Sequence, residues 1–121
     1  MRSRVVSLIH QIIQNPHGVS EIYRTGNEYY FIYLGRYFSI MKRTHQSNGS
    51  SYVFYIYPKA VAPLEQLAVE MSVGNQPDDY PMVAYNDTDF SADEADLFRQ
   101  LYRVLEERHL GLDELFNDLG A

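Results

Sequence analysis

Four runs rich in tyrosine, phenylalanine, isoleucine and valine follow one another between residues 19 and 57, and no other feature restricts the fold as tightly. They cover residues 19–24, 28–34, 37–43 and 51–57, broken by Thr25-Gly26-Asn27, by Gly35-Arg36 and by residues 45–50. β-Branched and aromatic side chains favour a pleated surface, and breaks this short join antiparallel neighbours, because a parallel crossover takes about a dozen residues or more. The stretch predicts a four-stranded antiparallel meander. Gly35-Arg36 suits a two-residue type II′ turn, since glycine takes the positive φ of the first central position without steric cost. That register pairs Leu34 with Tyr37, Tyr33 with Phe38, Phe31 with Ile40 and Tyr30 with Met41.

Alternate residues of a strand point to opposite faces. Tyr29, Phe31, Tyr33, Phe38 and Ile40 therefore share one face, and Tyr30, Ile32, Leu34, Tyr37, Ser39 and Met41 the other. In the last run Tyr52, Phe54 and Ile56 alternate with Val53, Tyr55 and Tyr57. Neither face is polar, so both demand cover.

The flanks supply helices. After Ser3, a candidate N-cap, Val5, Leu8, Ile9 and Ile12 recur at helical spacing, and Pro16 ends the pattern. Pro63 suits the first turn of a second helix with Leu64, Leu67, Ala68 and Met71 on one side. Residues 73–81 read as the most mobile loop, and residues 82–85 as a short edge strand. Ser91-Ala92-Asp93-Glu94 is a capping box that opens a helix carrying Leu97, Phe98, Leu101, Val104 and Leu105. Gly111 breaks it, and Leu112, Leu115, Phe116 and Leu119 begin another. The period switches predict a two-layer α+β fold, with a four- to five-stranded antiparallel meander packed by N-terminal and C-terminal helices in one domain spanning residues 1–121.

No cysteine is present, which removes disulfide scaffolds, thiol nucleophiles and cysteine-ligated zinc. The longest apolar run falls far short of a bilayer span, and no cleavage site follows the first helix, so a cytoplasmic location away from the membrane is expected. The formal charge of −6 hides an asymmetry. Residues 1–60 hold seven basic and two acidic side chains, 7 − 2 = +5, and the rest of the chain holds three and fourteen, 3 − 14 = −11. Such a split marks a polyanion-binding face, an acidic surface for a basic partner, or two halves that neutralise each other across the fold or a dimer.

Signals for chemistry are few. His10, His17, His45 and His109 show no metal-ligand spacing, and neither a glycine-rich phosphate loop nor a nucleophile elbow occurs. The acidic run from Asp87 to Asp93 imitates a calcium loop but has Ala92 where glycine is required and Phe98 where glutamate is required, so it reads as a capped helix start. His10 or His17 could form a catalytic pair only by meeting Asp87 or Asp89 in the fold. The expectation is a protein without cofactor or metal that is not an enzyme.

Eight of the eleven tyrosines fall within residues 23–57. β propensity accounts for them in plain structural terms. In functional terms Tyr30, Tyr37, Tyr55 and Tyr57 form an aromatic platform on the sheet face that the terminal helices leave open. The first reading is a binding module that forms a homodimer or docks a basic protein in the manner of small inhibitors, antitoxins and immunity proteins. The alternative is a single-stranded nucleic-acid binder that stacks bases on the same platform, with Arg36, Lys42, Arg43 and Lys59 on phosphates.

The order of elements, with Leu8-Ile9 in the first helix, the meander from Tyr29 to Tyr33, the closing stretch from Phe98 to Tyr102, and Leu112-Asp113-Glu114, resembles a loose group of short uncharacterised bacterial proteins. The resemblance implies a helix, tyrosine-rich meander, helix layout and no settled activity.

Overall fold

The computed structural model describes residues 2–45, 49–74 and 81–120, without the side chain of Asp113. Five strands, β1 (Val19–Thr25), β2 (Glu28–Tyr33), β3 (Arg36–His45), β4 (Gly49–Tyr57) and β5 (Val83–Asn86), form one antiparallel sheet in the order β1-β2-β3-β4-β5. Four α-helices accompany them among the described residues: α1 (Arg2–Gln14), α2 (Leu64–Ser72), α3 (Ala92–Leu110) and α4 (Leu112–Asp118). This is the α+β meander expected from the period switches. Residues 75–80 of the loop expected to be mobile lie outside the described residues.

The helix stripes explain the packing. Val5, Ile9 and Ile12 of α1, and Phe98, Leu101 and Leu105 of α3, are buried against Tyr29, Phe31, Tyr33, Phe38, Ile40 and Phe54 of the sheet. Phe31, Phe38 and Phe54 stack across three strands, with centroids 5.6 and 5.7 Å apart. A β-bulge at Ser20 lets both Val19 and Ile22 join this core, although their spacing would put them on opposite faces of a regular strand. The capping box at the start of α3 forms as expected: Ser91 Oγ accepts from the Glu94 amide, and Glu94 Oε1 accepts from the Ser91 amide. Ser3 lies within α1 and does not cap it.

The β2–β3 turn corrects the expected register. Tyr33 pairs with Arg36, so the turn residues are Leu34 and Gly35, both at positive φ (48° and 78°), as a type I′ turn requires. Leucine is disfavoured there, which is why the sequence points to Gly35-Arg36. Phe31 therefore faces Phe38, Tyr30 faces Ser39, and Leu34 leaves the sheet face for solvent. The partner of each residue moves by two, an even step, so the other assignments to the two faces survive.

Tyr33 closes one end of the core. Its hydroxyl accepts from Gln11 Nε2 at 3.2 Å and from Asn15 Nδ2 at 3.5 Å. Its ring lies over Gly18, where a Cβ would come within 2.5 Å of Cε1. Glycine is required there by close approach.

The opposite sheet face is not open across its width. Leu64, Leu67 and Ala68 of α2 pack on Tyr30 and Tyr57, so the short helix supplies part of the second cover that two apolar faces demand.

Candidate functional site

Tyr30, Tyr37, Tyr55 and Tyr57 do share one sheet face, because Tyr37 pairs with Tyr57 while Ser39 pairs with both Tyr30 and Tyr55. They do not form an exposed platform. Tyr30 and Tyr57 are each 2% exposed beneath α2, and Tyr37 and Tyr55 are half-buried. The correction has a simple cause: phenol rings bury large apolar areas, and the Leu64-Leu67-Ala68 stripe needed a surface to cover.

Beside α2 the face opens into a cleft of about 540 Å³, whose walls include Glu28, Tyr30, Tyr55, Met41, Met71 and Met82. Tyr57 also reaches it, whereas Tyr37 does not. Glu28 stands where β2 leaves its turn. Its Oε1 accepts from the Tyr30 hydroxyl at 3.2 Å and its Oε2 from Ser39 Oγ at 2.6 Å. Ser39 is fully buried, and its oxygen lies 2.9 Å from the Tyr57 hydroxyl. Because the single Ser39 proton goes to Glu28, Tyr57 is the donor to Ser39, which makes a relay from Tyr57 through Ser39 to the carboxylate. The Tyr30 and Tyr57 rings stack at 6.2 Å, and Tyr55 stacks on Tyr57 at 6.4 Å.

Burial pushes the Glu28 carboxyl above its ordinary value, against the pull of the Ser39 and Tyr30 hydrogen bonds. Burial, then the adjacent Glu28 charge, holds the Tyr30 phenol far above the usual range. Tyr57 is raised chiefly by burial as well. Tyr55 is raised by burial and by Glu28, while the Arg43 guanidinium beside it acts the other way. Across the sheet, burial pushes Tyr102 up to about 12. These tyrosines stay neutral, and Tyr30 and Tyr57 serve as donors.

The four basic residues expected on phosphates do not converge. Arg36 and Arg43 stand roughly 23 Å apart along β3, at 3.3 Å per residue over seven steps. Lys42 points to the helix-covered face, its Nζ 5.9 Å from the Tyr102 ring centroid, while Arg43 points to the cleft face beside Tyr55. Lys59 is exposed beyond the end of β4, near the Arg36 end. Arg24 lies over Tyr29, and Arg2 over Phe90 while donating to the Asp89 carbonyl.

All four histidines are exposed. The Arg2 contact sets Asp89 beside the start of α1, and His10 lies roughly 12 Å further along that helix at 1.5 Å per residue, so the two do not meet. Among the described residues no three His, Cys, Asp or Glu side chains gather as metal ligands. Asp87 is buried, and its Oδ1 has no hydrogen-bond partner among them.

Sequence reasoning passed over Glu28, although it is one of only two acidic residues in the first sixty. A lone carboxylate at a strand end, two residues from a tyrosine on its own face, is the signal that could have found it. Met71 and Met82 come from elements far apart in sequence, and no pattern joins them to Glu28.

Compared with protein-family models, with curated proteins and with solved structures, the chain matches none. No described helix is long and apolar enough to cross a membrane.

Proposed function

We propose that the protein is a non-catalytic binding module that docks a basic protein through its acidic C-terminal helices. The observation that carries this reading is the exposed apolar edge of α4. Leu115, Phe116 and Leu119 are 50%, 49% and 72% exposed, and Leu110 just before α4 is 60% exposed. Glu106 and Glu107 precede Leu110 in sequence, and Glu114 and Asp118 lie between Leu110 and Leu119. Large exposed apolar side chains with acidic residues close by in sequence are the makings of a contact patch with a polar rim.

Charge selects the partner. Among the described residues the only ion pairs are Arg99 with Asp96 and Arg103 with Glu107, both within α3. Among the described residues the basic first half therefore does not pair with the acidic second half, and the formal −11 of residues 61–121 is available to attract a cationic surface. A homodimer through the aromatic face loses its motive where α2 covers Tyr30 and Tyr57, and the scattered Arg36, Lys42, Arg43 and Lys59 weaken the nucleic-acid reading.

The test starts with immobilised wild type and a Phe116→Ser/Leu119→Ser variant, each challenged with cell extract. A basic protein should be retained by the wild type, lost with the variant, and released when salt rises from about 0.05 to about 0.5 M, where charges are screened beyond roughly 5 Å. The purified partner should rebind with a dissociation constant of about 1 μM or tighter. A dimer in sedimentation that the double substitution dissolves would show that a second copy covers the patch, and the proposal would fall.

A further inference from the structure

The Glu28 cleft lies on the other side of the molecule from the α3 and α4 surface and calls for a ligand of its own. A half-buried carboxylate is costly unless paired, yet among the described residues no lysine, arginine or histidine lies within ion-pair distance of Glu28. Lys42 helps to wall the cleft, but its ammonium rests over Tyr102 on the opposite face of the sheet. Arg43, on the cleft face, stands beside the Tyr55 hydroxyl. Ser39 and Tyr30 satisfy one lone pair on each carboxylate oxygen, leaving the charge itself without a counter-ion.

We propose that this cleft binds an organic ammonium ion, with Glu28 as counter-charge, Tyr55 as aromatic wall and the methionines as its apolar lining. Cations favour the electron-rich face of a tyrosine ring, and a thioether lining adapts to methylene or methyl groups. A hard divalent metal does not suit the site. Calcium takes six to eight oxygen ligands, and the cleft brings one carboxylate whose hydroxyl neighbours already donate to it.

Two sources offer this chemistry, a free small amine and a lysine side chain on a peptide. The full chain would be titrated with choline, with N-acetyl-lysine methylamide, and with 3,3-dimethyl-1-butanol, the uncharged isostere of choline. Backbone amide resonances of Glu28, Tyr30 and Tyr55 report binding. At least one ammonium probe should saturate these shifts about tenfold more tightly than the isostere. Choline as the tighter ligand assigns a free amine, and the lysine derivative a peptide side chain; either supports the proposal. Glu28→Gln, which keeps the shape and one acceptor oxygen but removes the charge, should weaken binding about tenfold without lowering the melting temperature. Tyr55→Leu, on the half-buried rim, should weaken it severalfold and guards against a folding defect at position 28. Equal binding of the isostere, no shift with either ammonium probe up to about 10 mM, or unchanged affinity in both variants overturns the assignment.

Discussion

Glu28 shows how one side chain can tie stability to pH. Burial raises its folded-state pKa above the ordinary value of 4.5, so the folded chain holds that proton more tightly than the unfolded chain does. Its contribution to stability is therefore greatest at low pH and declines as pH rises from about 4.5 through the raised value. The groups facing it are the neutral phenols of Tyr30, Tyr57 and Tyr55, with Arg43 beyond Tyr55; Met71 and Ser72 at the end of α2 bring no charge. Glutamine at position 28 cannot ionise. In urea unfolding, Glu28→Gln should gain stability relative to wild type between pH about 4.5 and about 7.5, and a constant difference across that range would show that the folded state bears no charge cost. The period of two set Ser39 on the same face as Tyr30, although the expected register put Met41 and not Ser39 opposite it. The carboxylate's own role was not, because desolvation depends on what α2 covers.

At the scale of elements, local chemistry forecast each helix and strand more reliably than it forecast how they join. The Ser91 capping box and the Leu64-Leu67-Ala68 stripe rest on neighbours within four residues, and both formed. The β2–β3 turn did not follow glycine preference, because Leu34 takes the left-handed conformation so that Phe31 can meet Phe38. Left-handed backbone costs an ordinary L residue about 1–2 kcal/mol, and asparagine tolerates it better. Leu34 is 63% exposed, so little burial is lost by replacing it. Leu34→Asn should raise unfolding free energy in urea by about 0.5–1 kcal/mol. A loss instead would mean that Leu34 contributes packing beyond its exposed position.

For the whole molecule, the decisive fact is that both sheet faces are at least partly covered, the first by α1 and α3 and the second by α2. Two substitutions on the same face should therefore behave differently. Tyr30→Glu places a carboxylate under α2 next to Glu28 and should cost about 3 kcal/mol or more, read as a collapse of the thermal transition. Tyr55→Glu, half-buried on the rim beside Arg43, should cost about 1 kcal/mol or less. If Tyr30→Glu folds normally and changes only the oligomeric state, α2 does not cover that face in solution.

The sequence by itself determined what depends on neighbours along the chain: the meander, the helix stripes, the capping box, the sorting of tyrosines onto two faces and the concentration of acid in the second half. Only the tertiary structure decided the register of the β2–β3 hairpin, the burial of Tyr30 and Tyr57, the dispersal of Arg36, Lys42, Arg43 and Lys59, and the cleft that joins Glu28 to Met71 and Met82. The division follows from range. Periodicity and capping act within a few residues, whereas a charge is desolvated and a cleft is walled by side chains about forty to fifty-five positions away, which meet only when α2 folds back over the sheet.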